Sequence, residues 1–389
     1  MTDGESARVQ SLPWSRVALD DVATRGSGHT PDKKREDYWN GSIPWVSLKD
    51  TFRLDQGLVS TTTETITCMG LANSSAVVHS KGSVVLLRDA GIGKSAVLGT
   101  DMAVSQHFMA WNCGPRLDNW YLYYYLQYMK PELERISNGS TIKTIGLEYF
   151  RQLEIPLPPI EEQRLIAQAL RDADDLIVAL ERMLAKKRQI KQGVMQQLLT
   201  GRTRLPGFAK PWGMKRLGEL LAYEQPGRYL VSSAEYSDVG TPVLTAGKTF
   251  ILGRTAETYG IYNAVPVIIF DDFTTASKLV TFPFKAKSSA MKILSARSGV
   301  DLRYAYERMQ LIDYIVVDHK RRWIAEYSKI EVEVPDEDEQ RAIASILDQV
   351  DMEVNKLEDR LAKVRAVKTG LMQQLLTGRT RLPAKESAA

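Results

Sequence analysis

The sequence predicts an α+β protein in which two compact mixed domains are joined by two long helices that pair as a coiled coil. Three observations lead to this prediction. The segment Glu161–Pro206 recurs without a gap as Asp338–Pro383, with 27 of 46 positions identical. Both copies keep a seven-residue apolar repeat, which is typical of coiled-coil helices. The segments outside the copies contain short strand-like runs broken by glycine, proline and aspartate, and no long helical period.

The composition is that of an ordinary globular protein of 389 residues, of which 44% are hydrophobic and 25% charged. The longest apolar run, Ala264–Phe270, is far shorter than the roughly 18–20 residues of a membrane-spanning helix. The N-terminal stretch is polar and unlike a signal peptide, and the two cysteines form neither a disulfide framework nor a metal-ligand pattern, so we expect a cytoplasmic protein. A net charge of +4 permits a nucleic-acid partner without requiring one.

The repeated segments are predicted to be helices because their apolar residues alternate in steps of four and three. The seam residues are Ile166, Leu170, Ile177, Leu180 and Leu184 in the first copy, and Ile343, Leu347, Val350, Val354, Leu357 and Leu361 in the second. Lysines also occupy seam positions, at Lys187, Lys191 and Lys368. Gly201 and Gly378 mark the predicted helix ends, since glycine readily adopts the left-handed conformation that terminates a helix.

Two helices of roughly 40 residues would each be about 60 Å long. A narrow apolar stripe needs a partner, and matching seams make the two helices the simplest partners for each other. The heptads alone also permit a parallel pair, or pairing between chains. These signals divide the chain into a first mixed domain (1–159), a helix (160–200), a linker (201–212), a second mixed domain (213–336), a second helix (337–377) and a tail (378–389).

Several motifs resemble those of the specificity subunit of type I restriction-modification enzymes. They are LPPIEEQ at 157–163, QQLLTG at 196–201, GSIPWVSLKD at 41–50, and the run from Gly253 through YGIY to FDDFT at 270–274. The resemblance covers essentially the whole chain. It implies that the mixed domains are two target-recognition domains, and that the helices form an intramolecular antiparallel coiled coil with pseudo-two-fold symmetry.

By this resemblance, the chain is a non-catalytic DNA-binding subunit. Each domain would read one half of a bipartite site in double-stranded DNA, while the helix pair sets the spacing and docks two methyltransferase subunits. Restriction subunits would complete the assembly, a DNA adenine methyltransferase and type I site-specific deoxyribonuclease. The partner subunits would use S-adenosylmethionine, ATP and Mg, and this chain is expected to bind no cofactor, metal or membrane.

Basic and aromatic residues in turn-like surroundings, with one serine, are the candidates for DNA contact, because lysine and arginine bind phosphates and can read guanine. In the first domain they are Lys33, Lys34, Arg35, Tyr38, Lys49, Arg88, Lys94, Ser140 and Lys143. In the second domain they are Arg228, Tyr229, Lys248, Arg254, Tyr259, Lys320, Arg321 and Arg322. The competing interpretation is that each is an ordinary surface residue, with Trp323 as a core residue beside the last three.

The C-terminal parts of both repeats are strongly basic. Arg182–Gly218 contains ten basic residues and no acidic one, and Arg360–Lys385 contains seven basic residues and no acidic one. Because two copies of one partner need two copies of one surface, the repetition favours subunit docking, with DNA contact as the second interpretation. The docking candidates are Arg188, Arg202, Arg204, Arg365, Arg379 and Arg381.

Catalytic and cofactor motifs are lacking in the sequence. The loop Asp89–Ser95 ends like a phosphate-binding loop, but Arg88 stands where the first glycine of that motif is required. The four histidines are scattered and form no metal pattern. A second interpretation is a coiled-coil adaptor that assembles a multisubunit enzyme without binding DNA. Unlike domains on a repeated frame favour DNA reading, because only the readers would need to differ.

Overall fold

The computed structural model describes residues 14–137, 144–233, 235–245, 249–314 and 322–383. The chain divides into two compact units. Unit 1 comprises Met1–Leu180 and Arg360–Ala389, and unit 2 comprises Glu181–Asp359. Each of the two long helices therefore supplies one part to unit 1 and the other part to unit 2.

Short strands and helices precede the first long helix in unit 1. The strands are β1 (Ser15–Ala18), β2 (Ala23–Ser27), β3 (Trp39–Val46), β4 (Leu58–Val59), β5 (Glu64–Ile66), β6 (Val78–His79), β7 (Val84–Leu87), β8 (Ser95–Leu98), β9 (Met102–Val104), β10 (Phe108–Cys113) and β11 (Glu154–Leu157). The helices are α1 (Cys68–Ala72), α2 (Asn119–Ile136), α3 (Leu147–Arg151) and the first part of α4 (Ile160–Leu198). The strands form two sheets, β2-β10-β7-β8-β4 and β5-β3-β9-β6, and the antiparallel pair β1-β11.

The core of unit 1 lies between its five-stranded sheet and helix α2. Strands β7 and β8 are buried along their whole length, which explains why their sequences are almost uninterrupted apolar runs. Helix α2 contacts both strands, and Asp118 caps its start by accepting hydrogen bonds from the backbone of Trp120 and Tyr121 at 3.0 Å. Ile166 and Leu170 of α4 belong to the same hydrophobic cluster, so the mixed domain and the long helix share one core.

Unit 2 combines other strands with the remaining parts of the long helices. The strands are β12 (Gly213–Arg216), β13 (Leu221–Glu224), β14 (Thr241–Leu244), β15 (Ile251–Thr255), β16 (Val267–Asp271), β17 (Ser277–Val280), β18 (Lys285–Ala286), β19 (Met291–Ala296) and β20 (Glu331–Val334). The helices are α5 (Leu217–Leu220), α6 (Leu302–Gln310) and the first part of α7 (Glu337–Leu375). The strands form two sheets, β13-β19-β16-β17 and β15-β14-β18, and the antiparallel pair β12-β20.

The core of unit 2 is centred on strand β16, whose residues from Val267 to Phe270 are all buried. The ring of Trp323 packs against that of Phe270, with 5.2 Å between the ring centres. Ile343 and Leu347 of α7 belong to the same cluster. The long helix is again part of the core of the mixed domain. The domain covers the apolar stripe of the helix, which would otherwise be exposed to water.

Within unit 1 the parts of α4 and α7 run antiparallel. Asp174 of α4 pairs with Lys368 of α7, and Glu162, close to the start of α4, pairs with Arg381 beyond the end of α7. Residues further along α4 therefore pair with residues that come earlier in α7. This is the order that antiparallel packing requires.

Unit 2 shows the same order, from the pair of Lys187 with Glu353 to the pair of Arg204 with Glu339. The predicted α+β class, with two mixed domains and an antiparallel helix pair, is confirmed by these elements. The helices end close to the predicted glycines, since Gly201 has a φ of +68° and Gly378 a φ of +71°. No helix within the described ranges is both long and apolar enough to cross a membrane.

The predicted seam residues lie on the least exposed stripe of each long helix. Those that are buried are Ile166, Leu170, Leu180, Leu184, Ile343, Leu347, Val354 and Leu361, and those that are half-buried are Ile177, Val350 and Leu357. Lys187, Lys191 and Lys368 are half-buried on the same stripe. The seam is therefore apolar over most of its length and polar at a few positions.

Candidate nucleic-acid interface

The predicted basic segment of unit 1 lies in the loop between β2 and β3. Lys33 and Lys34 are exposed there. Arg35 pairs with Asp37 at 2.8 Å, and its guanidinium lies 5.0 Å from the centre of the Tyr38 ring. The hydrogen bond to Asp37 raises the pKa of Arg35. The charge of Arg35 is thus balanced locally, and the two lysines are the more available phosphate ligands.

A cleft of about 150 Å³ brings Lys33 together with Lys49. Its other lining residues are Thr30, Trp45, Ser47, Leu48, Glu64, Ser105, Gln106 and His107. Lys49 pairs with Glu64 at 2.7 Å, and the Thr30 hydroxyl donates to the amide oxygen of Gln106 at 2.5 Å. Amide, hydroxyl and imidazole groups beside lysines are the groups that read base edges.

Gln106 and His107 were missed by the sequence reasoning, which selected basic runs and aromatic residues. They occupy the tight turn between β9 and β10. The Nδ1 atom of His107 lies 2.7 Å from Oδ1 of Asp89, so this ring is held in place by a neighbouring loop. The signal in the sequence is a polar pair between two apolar strands, which marks a turn at the sheet edge.

Arg88 and Lys94 have internal partners. Arg88 donates to the backbone carbonyl oxygens of Gln106 and Ile145, at 3.3 and 3.4 Å. Lys94 donates to the carbonyl oxygen of Thr51 at 3.3 Å. These bonds hold loops of unit 1 together. Contact of either side chain with DNA stays a prediction.

In unit 2 the predicted residues lie on two surfaces. Tyr259 is 62% exposed, and its hydroxyl lies 2.9 Å from that of Ser232. The Nζ atom of the buried Lys285 is 4.4 Å from the centre of the Tyr259 ring. Arg228 is exposed, whereas Tyr229 donates to Glu224 at 2.9 Å. An exposed aromatic ring held against a cation suits stacking on a base or sugar.

The second surface of unit 2 is a cleft of about 420 Å³ beside Arg254. Arg254 donates to the carbonyl oxygen of Gly240 at 2.8 Å and remains exposed. The other lining residues are Thr241, Pro242, Ile251, Phe282 and Pro283. Beyond the cleft lining, exposed Lys287 lies 5.6 Å from the centre of the Tyr236 ring, a pair that the sequence reasoning also missed.

Arg322, a predicted DNA contact, is buried in the structure, and its contact with DNA stays a prediction. Its side chain is only 3% exposed, and its backbone N–H donates to the carbonyl oxygen of Asp272 at 3.0 Å. Trp323 beside it is buried against Phe270, as the competing interpretation stated. The Arg322 guanidinium lies 3.6 Å from the carboxylate of Glu326 and 5.7 Å from the centre of the Tyr314 ring, so its charge is held within unit 2. The predicted residues Ser140, Lys143, Lys248, Lys320 and Arg321 lie outside the described residues.

The twelve-residue string MQQLLTGRTRLP occurs twice, at 195–206 and 372–383, and its second copy closes unit 1. The carboxylate of Glu162, buried at the start of α4, accepts two hydrogen bonds at 2.8 Å from the guanidinium of Arg381, and one at 3.0 Å from the backbone of Leu382. The indole of Trp14 donates to the same carboxylate at 3.3 Å, and Arg381 stacks 5.2 Å from the centre of that indole. The chain segment after α7 is thereby fastened to the start of α4.

Unit 2 is closed by the same chemistry at the equivalent positions. Buried Glu339 accepts two hydrogen bonds at 2.6 Å from Arg204 and one at 3.1 Å from Trp212. Arg204 lies 5.5 Å from the centre of the Trp212 ring. Bidentate pairing of arginine with a carboxylate is the strong, geometrically specific form of the ion pair. The repeated string thus performs the same internal task twice.

The glutamine that follows each of these glutamates ties the long helix to the mixed domain. The Gln163 side chain accepts from the backbone of Asp118 at 2.8 Å, and the Gln340 side chain accepts from the backbone of Asp301 at 3.0 Å. Asp118 caps helix α2 and Asp301 caps helix α6. Each Glu-Gln pair therefore joins three elements of its unit. The glutamate binds the segment that follows the other long helix, and the glutamine binds the start of a helix of the mixed domain.

These contacts change the interpretation of the predicted docking residues. Arg204 and Arg381 are bound to glutamates within their own units, so each helps to close its unit, and docking of a partner by these two residues stays a prediction. Arg188 pairs with Glu358 at 2.6 Å on the helix surface. Arg202, Arg365 and Arg379 are exposed. For these four residues docking stays a prediction.

Metal chemistry has no candidate within the described ranges, where histidine, cysteine and carboxylate side chains form no group of three or more able to hold an ion. Burial raises the pKa of the Cys113 thiol to about 12, so this cysteine is not activated as a nucleophile.

A family model described as the type I restriction modification DNA specificity domain matches residues 12–192. The specificity subunit of the type I restriction enzyme EcoR124I/EcoR124II of Escherichia coli is 53% identical over 126 residues, which is 31% of this chain and 31% of that protein. The MjaIX specificity subunit of Methanocaldococcus jannaschii is 29% identical over 57% of this chain and 55% of its own length. The MjaVIII specificity subunit of the same organism is 23% identical over 95% of this chain and 93% of its own length. The match thus spans about a third of the first relative, about half of the second and nearly all of the third.

Solved structures share the fold. The S subunit of a type I restriction-modification system from M. genitalium superposes with a TM-score of 0.63 over 94% of this chain and 97% of that chain, at 16% identity. The HsdS subunit from Thermoanaerobacter tengcongensis superposes with a TM-score of 0.52 over 95% of this chain and 98% of that chain, at 15% identity. At such low identities the likeness concerns the fold.

Proposed function

Since this chain belongs to the family of type I restriction-modification specificity subunits, we propose that it selects a bipartite site in double-stranded DNA for a multisubunit enzyme. The mixed domain of unit 1 reads one half of the site, and that of unit 2 reads the other half. The helix pair sets the spacing between the halves. Two methyltransferase subunits dock on the helices, and restriction subunits join the assembly in the cytoplasm.

The observation that carries this proposal is the repetition of the closing contacts around unlike domains. Glutamate, arginine and tryptophan meet in the same geometry in both units, whereas the sheets have different strand orders. Repeated helices that hold two different mixed domains suit a protein that reads two different half-sites. An adaptor that binds two identical partners would have no need for unlike domains.

Catalysis is assigned to the partner subunits. They would supply S-adenosylmethionine for methyl transfer, and ATP and Mg for restriction, while this chain contributes binding and position. The exposed arginines at equivalent positions of the repeat, Arg202 and Arg379, are the docking surface that we propose for two copies of the methyltransferase subunit. Their equivalence allows one partner surface to bind twice.

The test of this function is a map of methylated bases in cells that co-express the chain with its methyltransferase partner. In a second strain, residues 217–330 are replaced by the corresponding segment of another family member. The junctions lie at the ends of the paired strands β12 and β20, so Arg204, Trp212 and Glu339 are left in place. We expect a gapped motif of which one half changes and the other persists. A motif without a gap, or one indifferent to the exchange, would favour the adaptor.

Lys33 and Lys49 provide a direct test of the cleft in unit 1. Each phosphate contact that is lost reduces the salt dependence of DNA binding by roughly 0.9 in the slope of log K against log salt. We therefore expect Lys33→Ala/Lys49→Ala to flatten the slope by about 0.9 to 1.8, since Lys49 already pairs with Glu64 and contributes less than a free lysine. Binding of all sequences should weaken alike. The measurement is DNA affinity of the complex with its methyltransferase partner across a salt series.

Lys81→Ala is the control for the cleft, because Lys81 is exposed in unit 1 and does not line the cleft. It should leave the slope within error of the unaltered chain. If the double variant and the control gave equal slopes, the cleft would not be in contact with the DNA backbone.

A further inference from the structure

Two lysines interrupt the apolar seam at equivalent positions of the repeat, and each is paired with an aspartate. Lys368 of α7 lies 2.5 Å from Asp174 of α4 in unit 1. Lys191 of α4 lies 2.5 Å from Asp351 of α7 in unit 2. All four side chains are between 23% and 33% exposed, so the pairs sit at the edge of the seam and are neither fully buried nor fully solvated.

Each aspartate also accepts a hydrogen bond from a helix of the mixed domain. The hydroxyl of Tyr124, on α2, donates to Asp174 at 2.9 Å. Burial, with the charge of Asp174, raises the pKa of Tyr124, so this phenol stays protonated and keeps donating. In unit 2 the guanidinium of Arg303, on α6, bonds to Asp351. One carboxylate in each unit thus contacts both long helices and the helix of the mixed domain.

The donors from the domains differ between units, tyrosine in one and arginine in the other, while the lysine and aspartate are the same. This is the pattern expected where two unlike mixed domains are each fixed to the same repeated frame at equivalent positions of the repeat. A polar residue in an apolar seam specifies register, because any other register leaves it without its partner. An ordinary ion pair on a helix surface would contact one neighbour and would have no reason to recur with a third partner.

We propose that Asp174 and Asp351 are positioning residues, which fix the register of the helix pair against each mixed domain and so determine the length of the spacer between the two half-sites. This inference rests on the proposed function. One extra base pair moves a half-site by about 3.4 Å and rotates it by about 35°. A slip of the helices by one turn, about 5.4 Å, is of that size. Register is therefore a means of selecting among spacers.

The test measures methylation by the chain assembled with its methyltransferase partner. The substrates carry unchanged half-sites separated by the native spacer, or by one base pair more or fewer. The variant is Lys191→Met/Lys368→Met, because methionine matches lysine in length and completes the apolar seam. We expect at least about tenfold preference for the native spacer in the unaltered chain, falling to about threefold or less in the variant, with no loss of thermal stability.

The matched control is Lys186→Met/Lys363→Met. These lysines are also equivalent in the repeat, but they are exposed and have no carboxylate within salt-bridge distance among the residues that the structure describes. The control should keep the native preference. Spacer preference is the ratio of methylation of two substrates by the same assembly. A change in docking or activity that affects both substrates equally therefore cancels.

A second variant, Asp174→Asn/Asp351→Asn, keeps the shape of both side chains and removes their charge. It should broaden spacer preference in the same direction. If both variants keep the native preference, the inference is overturned although the proposed function stands. If the unaltered chain itself methylates no gapped site, the proposed function fails first.

Discussion

Replacement of Arg381 by methionine is expected to destabilise unit 1 by about 2 kcal/mol. Removal of one partner from a buried ion pair costs about 3–5 kcal/mol, because the other charge stays buried, and the partial exposure of Arg381 lowers this figure. Glu162 would lose its hydrogen bonds from the guanidinium and keep those from the Trp14 indole and the Leu382 backbone. The measurement is the midpoint of urea unfolding of the full chain, monitored by circular dichroism and by tryptophan fluorescence.

Two further variants separate the ion pair from a general effect of losing an arginine. Arg379→Met removes an equal charge from the same string at an exposed position, and should shift the midpoint little. Arg381→Met/Glu162→Leu removes both charges, and should recover part of the loss because no buried charge remains. A double variant that is less stable than Arg381→Met alone would contradict this account of the closure.

Replacement of Lys292 by methionine is expected to be more damaging, at about 4 kcal/mol in unit 2. Lys292 on β19 and Asp272 are both about 1% exposed, and 2.7 Å separates their charged atoms. The carboxylate also accepts from the backbone of Trp323 at 2.9 Å, so it fixes the turn that brings this indole against Phe270. Without the lysine the negative charge of Asp272 would be buried alone, which costs about 3–5 kcal/mol.

The control for this prediction is Lys278→Met, because Lys278 lies exposed on the neighbouring strand β17. Its effect on the unfolding free energy should lie within about 0.5 kcal/mol, as is usual for surface positions. Lys292→Met/Asp272→Asn should be more stable than Lys292→Met, since asparagine is neutral and still accepts from Trp323. Equal stability of the single and double variants would show that the buried charge is not the cause.

The long helices were predictable because their signals are local. An apolar residue every three or four positions, a glycine suited to the left-handed conformation and a following proline all act within a few residues. The predicted limits, 160–200 and 337–377, are therefore close to Ile160–Leu198 and Glu337–Leu375 in the structure. The sheets were less predictable, because buried strands such as β7 have no alternation to reveal which residues face which neighbour.

The closing contacts could not be read from the sequence, because they join residues far apart in the chain. Glu162 and Arg381 are separated by 219 positions, and neither is unusual among its neighbours. Arg381 was therefore predicted to lie at the surface as a docking residue, since the surface is the usual place for arginine. Arg322 was likewise expected at the surface, whereas the structure buries it. Its basic neighbours indicated an exposed cluster, whereas the adjacent Trp323 draws the turn into the core.

Unit 1 is built from two separate segments of the chain, which affects the order in which the two units fold during synthesis on the ribosome. Unit 2 is continuous, from Glu181 to Asp359, whereas unit 1 needs the segment that begins at Arg360. At about 5–20 residues per second, synthesis of the 179 residues of unit 2 takes roughly 9–36 seconds. During that time the first domain is made but lacks Arg381, Leu375 and Leu376, which complete its core and its closure. A nascent chain therefore contains all of unit 2 before unit 1 is complete, and loss of the segment that begins at Arg360 damages the unit whose first residues were made first.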